Sequence, residues 1–371
     1  MVTRTEDPST ANGTTSPAPQ PSRIGLVARM LAAVVGLGFF AWTMRDLDGS
    51  RLHELLVSVG PIVVLIVLPQ AIGTLLHAAA WRELLAALGT RVPLFALTRV
   101  FLGSEGARMA MPAGAAVGES VAAFEVKSRF DSGWPKALAS LAAKKAWVLC
   151  THAICLVALF VVGGAALERL GANLPAGHWL LIVLWGMTIS LVLAGGLTLT
   201  LLASRRAART TVRIASRVPI AALRNWAAER AHHPELAAAA AIAPVAHLKS
   251  GALLLAQWVT EFAETWLILR LLGTNVTFTE ALAIELGSSL VRALAFVVPG
   301  GLGVTDASYV GMLAALGVPN ATEVGAGFVL LKRAKEIFFI AVGLGALARR
   351  PALPTMLAAP DTLGSPAEDR T

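Results

Sequence analysis

The chain has 371 residues, of which 56% are hydrophobic and only 15% are charged. Soluble domains carry about 25% charged residues, so this composition, with a mean hydropathy of +0.68, excludes an ordinary soluble protein and indicates an integral membrane protein. The formal net charge of +8 does not indicate nucleic-acid binding, because the basic residues cluster where cytoplasmic loops of membrane proteins carry them.

One membrane domain is predicted between two polar tails. Residues 1–22 are rich in Ser, Thr, Pro and Ala, which is typical of a disordered segment. The apolar run 26–44 lacks a small-residue cleavage site at its end, so we expect a first span rather than a cleaved signal. The membrane domain is predicted over 23–350, and a short C-terminal tail over 351–371.

Apolar stretches of about 20 residues are long enough to cross the hydrocarbon core of a bilayer. Six such stretches predict full membrane spans: 26–44, 57–80, 137–163, 179–203, 250–272 and 324–347. Two more, 95–124 and 280–316, are each interrupted near the middle by proline and glycine. Each half is too short to cross comfortably, so we expect two re-entrant helical hairpins; bent pairs of tilted spans are the alternative.

The two interruptions share one motif. Its residues are Pro112, Gly114 and Glu119 in the first copy, and Pro299, Gly300, Gly301, Gly303 and Asp306 in the second. The offset of 187 positions between the copies also carries Lys145 onto Lys332, and Leu88-Gly89-Thr90 recurs as Leu272-Gly273-Thr274. An internal duplication with helix-breaking residues at membrane depth is typical of transporters, in which broken helices surround a cavity or a binding site.

The distribution of Lys and Arg predicts the orientation. Segment 204–249 is rich in arginine and poor in acidic residues, so it should be cytoplasmic. With six spans both termini are then cytoplasmic, and two repeats, about 57–165 and about 250–347, have inverted topology. Three arginines of the basic segment share one helical face, which predicts either an interfacial helix on anionic lipid headgroups or a solvated loop.

Ionisable residues inside a bilayer cost roughly 2.5–3.5 kcal/mol on insertion scales, so they mark functional sites or pair with one another. In one interpretation, Glu119 pairs with Lys145, and Asp306 pairs with Lys332 or Arg333, as salt bridges that brace the hairpins. In the other, free backbone N–H groups at the glycine-rich breaks and the nearby cations bind an anionic headgroup. Both interpretations can hold.

Two further acids, Glu261 and Glu264, lie three residues apart on one helical face. With Glu119 and Asp306 they are the candidates for proton coupling, and they are also candidates for headgroup contact. The predicted substrate-binding residues are Pro112, Gly114, Glu119, Lys145, Glu261, Glu264, Pro299, Gly300, Gly301, Gly303, Asp306, Lys332 and Arg333.

Enzyme signatures are missing from the sequence. There is no Gly-x-Ser-x-Gly, no phosphate-cradling Gly-x-x-x-x-Gly-Lys and no zinc-like spacing of His and Cys. We therefore expect a protein that is not an enzyme, that holds no cofactor or metal, and that is not driven by ATP.

The second repeat resembles a known family. The string LGTNVTFTEAL and the later FVVPGGLGVTDASYVGMLAALGVP and LLKRAKE are similar to the flippase-like membrane domain shared with the transmembrane region of bacterial lysylphosphatidylglycerol synthase. The resemblance covers about residues 26–350. Within the family, the LLKRAKE string is most similar to the membrane proteins associated with hopanoid biosynthesis. The family commonly has Glu where this chain has Asp306, which keeps the charge but shortens the side chain.

The resemblance implies a multi-pass protein of the bacterial inner membrane that moves or hands over a lipid, either of the hopanoid type or an anionic phospholipid. The larger synthase carries a soluble aminoacyl-transferase domain after this region, and none is recognised here, so aminoacylation is not expected. Two alternatives stay open. One is a membrane enzyme or accessory subunit that modifies lipid headgroups, and the other is a carrier of polyprenyl phosphate.

Overall fold

The structure, a computed structural model, describes residues 48–110, 114–174, 177–203, 238–239, 241–294, 301 and 303–348. Within these ranges the chain is helical and contains no strand. The predicted span 26–44, both tails and most of the basic segment lie outside the described residues. The same holds for three predicted site residues, Pro112, Pro299 and Gly300.

The helices follow one another with short connections. The first half contains α1 (Gly49–Val59), a 3₁₀ segment (Gly60–Ile66), α2 (Val67–Ala87), α3 (Leu94–Ala110), α4 (Gly114–Phe130), α5 (Gly133–Val162) and α6 (Gly164–Asn173). The second half contains α7 (Gly177–Ala203), α8 (Pro244–Leu271), α9 (Phe278–Leu294), α10 (Val304–Ala315) and α11 (Ala321–Ala348).

Among the described helices, four are long and apolar enough to cross a membrane: Val64–Ala87, Gly133–Val162, Leu181–Thr200 and Pro244–Leu271. Each overlaps a predicted span. The span predicted at 57–80 was placed too early, because Pro61 and a left-handed Gly60 (φ 54°) hold the chain in a 3₁₀ segment first. The span predicted at 324–347 corresponds to α11, a 28-residue helix that carries a cluster of charged residues at Lys332, Arg333, Lys335 and Glu336.

The helices occur twice in the same order. Helices α2, α3, α4 and α5 correspond in sequence position to α8, α9, α10 and α11, and α3 and α9 have 17 residues each. Both Leu-Gly-Thr segments end the first helix of their set in the same way. Gly89 has φ 79° and Gly273 φ 78°, and the next N–H donates back to a helix carbonyl, Thr90 to Leu85 at 2.9 Å and Thr274 to Leu269 at 3.1 Å.

Small residues let the two helix sets pack closely. Helix α2 lies along α8, where a Cβ added at Gly73 would be 2.7 Å from the Oγ1 of Thr260. Helix α3 lies along α11, where a Cβ added at Gly343 would be 2.2 Å from the carbonyl oxygen of Leu102. Side chains at these glycines would push the helices apart. The close contacts bring α2, α3, α8 and α11 around one space.

Helix α7 presents an apolar face to the outside of the protein. Only 17% of the most apolar stretch of its segment Leu181–Thr200 is buried within the protein. Its exposed large residues are Trp179, Ile182, Val183, Trp185, Ile189, Val192, Leu193 and Leu197. Such a surface is stable only against another apolar phase, which agrees with a helix that faces lipid.

Candidate functional site

A cavity of about 390 Å³ lined by many charged side chains lies where the two helix sets meet. Its walls come from α2, α3, α4 and α5 on one side and from α8, α9 and α11 on the other. The lining acids are Glu105, Glu119, Glu261, Glu264, Glu285 and Glu336, and the lining cations are Arg108, Lys144, Lys145, Arg292, Lys332 and Lys335. Opposite charges are therefore balanced around one small space, and the way they pair decides what the cavity can bind.

The wall formed by the second set centres on Glu285 of α9. Its carboxylate accepts a hydrogen bond from Lys332 at 2.6 Å and another from the hydroxyl of Thr265 at 2.6 Å. The guanidinium of Arg292 lies 3.8 Å away. Lys332 also lies 3.4 Å from the Tyr309 hydroxyl. Both members of the Glu285–Lys332 pair are buried, so each charge is neutralised inside the protein rather than by solvent.

A second internal pair joins Glu264 of α8 to Lys335 of α11. The ammonium of Lys335 also donates to the side-chain carbonyl of Gln70 on α2 at 3.0 Å. Both charged residues are buried. The pair therefore links three helices from both sets and leaves neither charge available without breaking that link.

At the second break, Asp306 caps the start of α10 and binds a cation. One carboxylate oxygen accepts the backbone N–H of Gly303 at 2.9 Å, and the other accepts two hydrogen bonds from Arg333 at 2.7 and 3.0 Å. Arg333 also contacts Glu336 at 2.7 Å. Gly301 and Gly303 have φ of 64° and 80°, a conformation that side chains resist. The glycines thus shape the turn, and the acid caps the helix and binds the arginine.

At the first break, the two flanking helices meet through their backbones and the acid forms a more exposed ion pair. A Cβ added at Gly114 would lie 1.7 Å from the carbonyl oxygen of Arg108, so α3 and α4 approach through bare backbone there. Glu119 of α4 pairs with Lys145 of α5 at 2.6 Å, with side chains 46% and 45% exposed. The sequence suggested a pair of Glu119 with Lys145 and a pair of Asp306 with Lys332 or Arg333. The structure contains Glu119–Lys145 and Asp306–Arg333, and the second pair is the less exposed.

Two lining charges have no oppositely charged partner within 4 Å among the described residues. The first is Lys144, whose ammonium lies over the rings of Trp81 and Phe101 at 4.4 and 5.1 Å from their centroids. The His77 ring stacks on the Phe101 ring, with 4.4 Å between the two ring centroids. The second is Glu261, which accepts a hydrogen bond from the Gln257 amide at 2.6 Å. The cavity thus offers one cation and one acid for other uses.

The cavity brings together five of the predicted site residues: Glu119, Lys145, Glu261, Glu264 and Lys332. The lining among described residues does not include the other five described ones, Gly114, Gly301, Gly303, Asp306 and Arg333. The last two reach the cavity only indirectly, through Glu336. The three described glycines of the breaks, Gly114, Gly301 and Gly303, therefore lie outside the cavity lining.

Sequence inspection did not select Lys144, Phe101 or Glu285 as site residues. A signal for Phe101 and Glu285 exists in a second repeat at an offset of 184 positions, which places Leu102-Gly103-Ser104 on Leu286-Gly287-Ser288 and Arg108 on Arg292. The same offset places Phe101 on Glu285. The acid that pairs with Lys332 in the second set is therefore an aromatic residue in the first.

The chain was compared with known proteins. The family model described as the lysylphosphatidylglycerol synthase TM region matches residues 29–343. No curated protein matches the chain. Because the match covers most of the sequence, the chain belongs to this family of multi-pass membrane domains, as the second-repeat strings indicated.

Proposed function

We propose that this protein moves an amphipathic lipid with an anionic headgroup between the two leaflets of the bacterial inner membrane. The observation that carries the proposal is the charge-lined cavity of about 390 Å³ between helices whose outer faces are apolar. Cavities that bind small molecules usually measure roughly 300–1,000 Å³. A polar headgroup passes through this space while the acyl chains stay in lipid.

The proposed architecture has six spans, two re-entrant hairpins and inverted repeats, with both termini and the basic segment in the cytoplasm. The duplicated order of helices supports it. So do the helix lengths: the 17 residues of α3 and of α9 reach about 26 Å, and the 12 residues of α10 about 18 Å. The hydrocarbon core measures about 30 Å, so these helices suit hairpins that turn within the membrane.

The charged lining favours an anionic phospholipid over a neutral polycyclic lipid of the hopanoid type. A neutral headgroup would leave the ammonium of Lys144 without a counter-charge, and burying such a charge without a partner is costly. A phosphate supplies that counter-charge through charge-assisted hydrogen bonds. Anionic headgroups would also bind the arginine-rich segment 204–249 at the membrane surface.

The energy source in this proposal is an ion gradient or the lipid gradient itself, since the sequence holds no nucleotide-binding motif. Of the lining acids, Glu261 is the one without a cationic partner among the described residues, so it is the candidate for proton exchange. Glu261→Gln should leave lipid movement intact but remove its response to an imposed proton gradient. A response equal to that of the wild type would exclude Glu261 as the coupling residue.

Lipid movement in reconstituted vesicles tests the proposal. Vesicles with fluorescent phosphatidylglycerol in both leaflets receive a membrane-impermeant quencher, and the fraction and rate of late quenching report transfer. We expect the full-length protein to accelerate this transfer over protein-free vesicles, and Ile189→Ala on the lipid-facing side of α7 to match the wild type. Rates equal to those of protein-free vesicles would contradict lipid movement.

Mass analysis of the recovered lipid separates transport from headgroup chemistry. The proposal expects the phosphatidylglycerol to be recovered unchanged after incubation. A lipid of altered mass that appears only with the protein would favour a membrane enzyme instead. Fluorescent polyprenyl phosphate in the same assay separates the carrier alternative, which expects it to move faster than the phospholipid.

A further inference from the structure

Lys144 is a buried cation of the cavity that has no oppositely charged partner among the described residues. It is 5% exposed and lines the cavity. No carboxylate of the described residues lies within salt-bridge distance of its ammonium. Burying an ammonium is strongly unfavourable unless a counter-charge or hydrogen-bond acceptors compensate it.

The two aromatic rings compensate only in part. Trp81 and Phe101 lie within the distance at which a ring face attracts a cation. Trp81 is itself fixed, because it is fully buried and its indole N–H donates to the hydroxyl of Ser140 at 3.0 Å. Contacts with ring faces do not occupy the N–H donors of the ammonium as hydrogen bonds would. These donors therefore stay available to a ligand in the cavity.

The position that is acidic in the second set is aromatic in the first. In the second set, Glu285 occupies the position that Phe101 occupies in the first, and it binds the buried Lys332. An aromatic residue replaces the internal acid in the first set. Lys144 therefore lies against the Phe101 ring and has no carboxylate partner among the described residues. An anion that pairs with it would have to come from a ligand.

We propose that Lys144 binds the phosphate of a lipid headgroup on the wall formed by α2, α3 and α5. The assignment rests on the proposed lipid movement and names the group that recognises the headgroup. The source is a lipid rather than free phosphate, because α2 and α5 are long and apolar enough to cross a membrane, so the acyl chains of a bound lipid can stay outside the cavity. Lys136 lies on the same helix α5, is exposed and does not line the cavity, so it serves as a matched comparison.

The test measures binding to the purified full-length protein in detergent, with fluorescent phosphatidylglycerol as the probe. Lys144→Met removes the charge and keeps the length of the side chain. We expect it to weaken binding by about 10- to 150-fold, the range of one lost charge-assisted hydrogen bond. Lys144→Arg should recover most of the affinity, and Lys136→Met should bind like the wild type, because the exposed Lys136 side chain does not line the cavity.

Two further probes identify the source of the anion. Fluorescent diacylglycerol, which lacks the phosphate, should bind weakly and equally to the wild type and to Lys144→Met. Inorganic phosphate should displace the phospholipid only at far higher concentration than unlabelled phosphatidylglycerol does. Displacement by inorganic phosphate at the same concentration would overturn the lipid source and assign a free-anion site.

Other outcomes overturn the role of Lys144 itself. Unchanged affinity for phosphatidylglycerol in Lys144→Met would do so, as would a large loss of thermal stability that Lys144→Arg does not restore. If the wild type moves lipid and Lys144→Met binds it normally, only this inference fails. If Lys144→Met loses binding but the wild type moves no lipid, the headgroup site stands and the proposed movement fails.

Discussion

The two helix sets have the same order of elements but treat their buried charges in opposite ways. In the second set, Lys332 and Glu285 neutralise each other at 2.6 Å, with side chains 10% and 4% exposed. In the first set, the pair Lys145–Glu119 has the same 2.6 Å distance but is nearly half exposed, and Lys144 has no acidic partner within 4 Å among the described residues. One copy thus neutralises its buried lysine with an internal acid, whereas the other leaves a buried lysine without one.

This division has a consequence for stability. A buried pair that loses one partner leaves an unpaired charge in a low-dielectric region, whereas an exposed pair loses little because water replaces the partner. Equivalent substitutions in the two sets should therefore have unequal effects. The following variants test that inequality, in order of expected effect on the thermal stability of the protein in detergent.

The largest loss is expected for Glu285→Gln. This change leaves the Lys332 ammonium buried without its carboxylate, which should destabilise the protein by about 3–5 kcal/mol. The melting temperature should fall accordingly. Adding Lys332→Met removes the orphaned charge, so the double variant should recover most of the loss. A double variant no more stable than Glu285→Gln alone would mean that the ion pair is not the reason for the effect.

A smaller loss is expected for Arg333→Gln. The side chain of Asp306 is only 7% exposed, and it would lose two charge-assisted hydrogen bonds. We expect a cost of about 1.5–3 kcal/mol, with recovery when Asp306→Asn is added, since Asn keeps an acceptor for the helix cap. Lipid affinity should stay unchanged in both. Weaker phosphatidylglycerol binding with unchanged stability would instead give Arg333 a role in headgroup binding.

The glycine break of the second set should be sensitive to any side chain. Gly303 has φ 80°, and a residue with a Cβ pays about 1–2 kcal/mol to adopt left-handed backbone. Gly303→Ala should therefore lower the melting temperature by a few degrees. Gly186→Ala on α7 is the control, because an added Cβ there meets nothing within 4 Å. Equal stability of the two variants would show that the turn relaxes without cost.

The smallest effect is expected for Glu119→Gln in the first set. Its pair with Lys145 is nearly half exposed, and such pairs contribute about 0–1 kcal/mol. The melting temperature should change by no more than about two degrees, far less than in Glu285→Gln. A drop as large as that of Glu285→Gln would contradict the contrast between the two sets.

Much of this arrangement follows from the sequence, because proline, glycine and isolated charges are rare enough in apolar helices to be informative. The motif spacing predicted both breaks and the pair Glu119–Lys145, and it left Lys332 or Arg333 as the partner of Asp306. The choice between Lys144 and Lys145 did not follow. Helix α5 is apolar nearly all round, so hydrophobic periodicity does not indicate which of two adjacent lysines, about 100° apart, faces the interior.

The partner of Lys332 also could not be deduced. Glu285 lies 47 positions away in another helix, and only the packing of α9 against α8 and α10 brings its carboxylate to the lysine. The short helix α6 lies between the predicted spans 137–163 and 179–203, and the sequence did not indicate it because its 10 residues carry few apolar positions. Local patterns thus located the charges, and tertiary packing assigned their partners.

The position of a bound headgroup tests the central claim most directly. Phosphatidylglycerol with a photoactivatable group on its headgroup can be crosslinked to the full-length protein in vesicles, and the adducts mapped by mass spectrometry. Our account predicts adducts on the cavity-lining faces of α2, α3 and α5 around Lys144, and their loss in Lys144→Met. Adducts confined to the outer face of α7, or to the turn at Gly301 and Gly303, would contradict it.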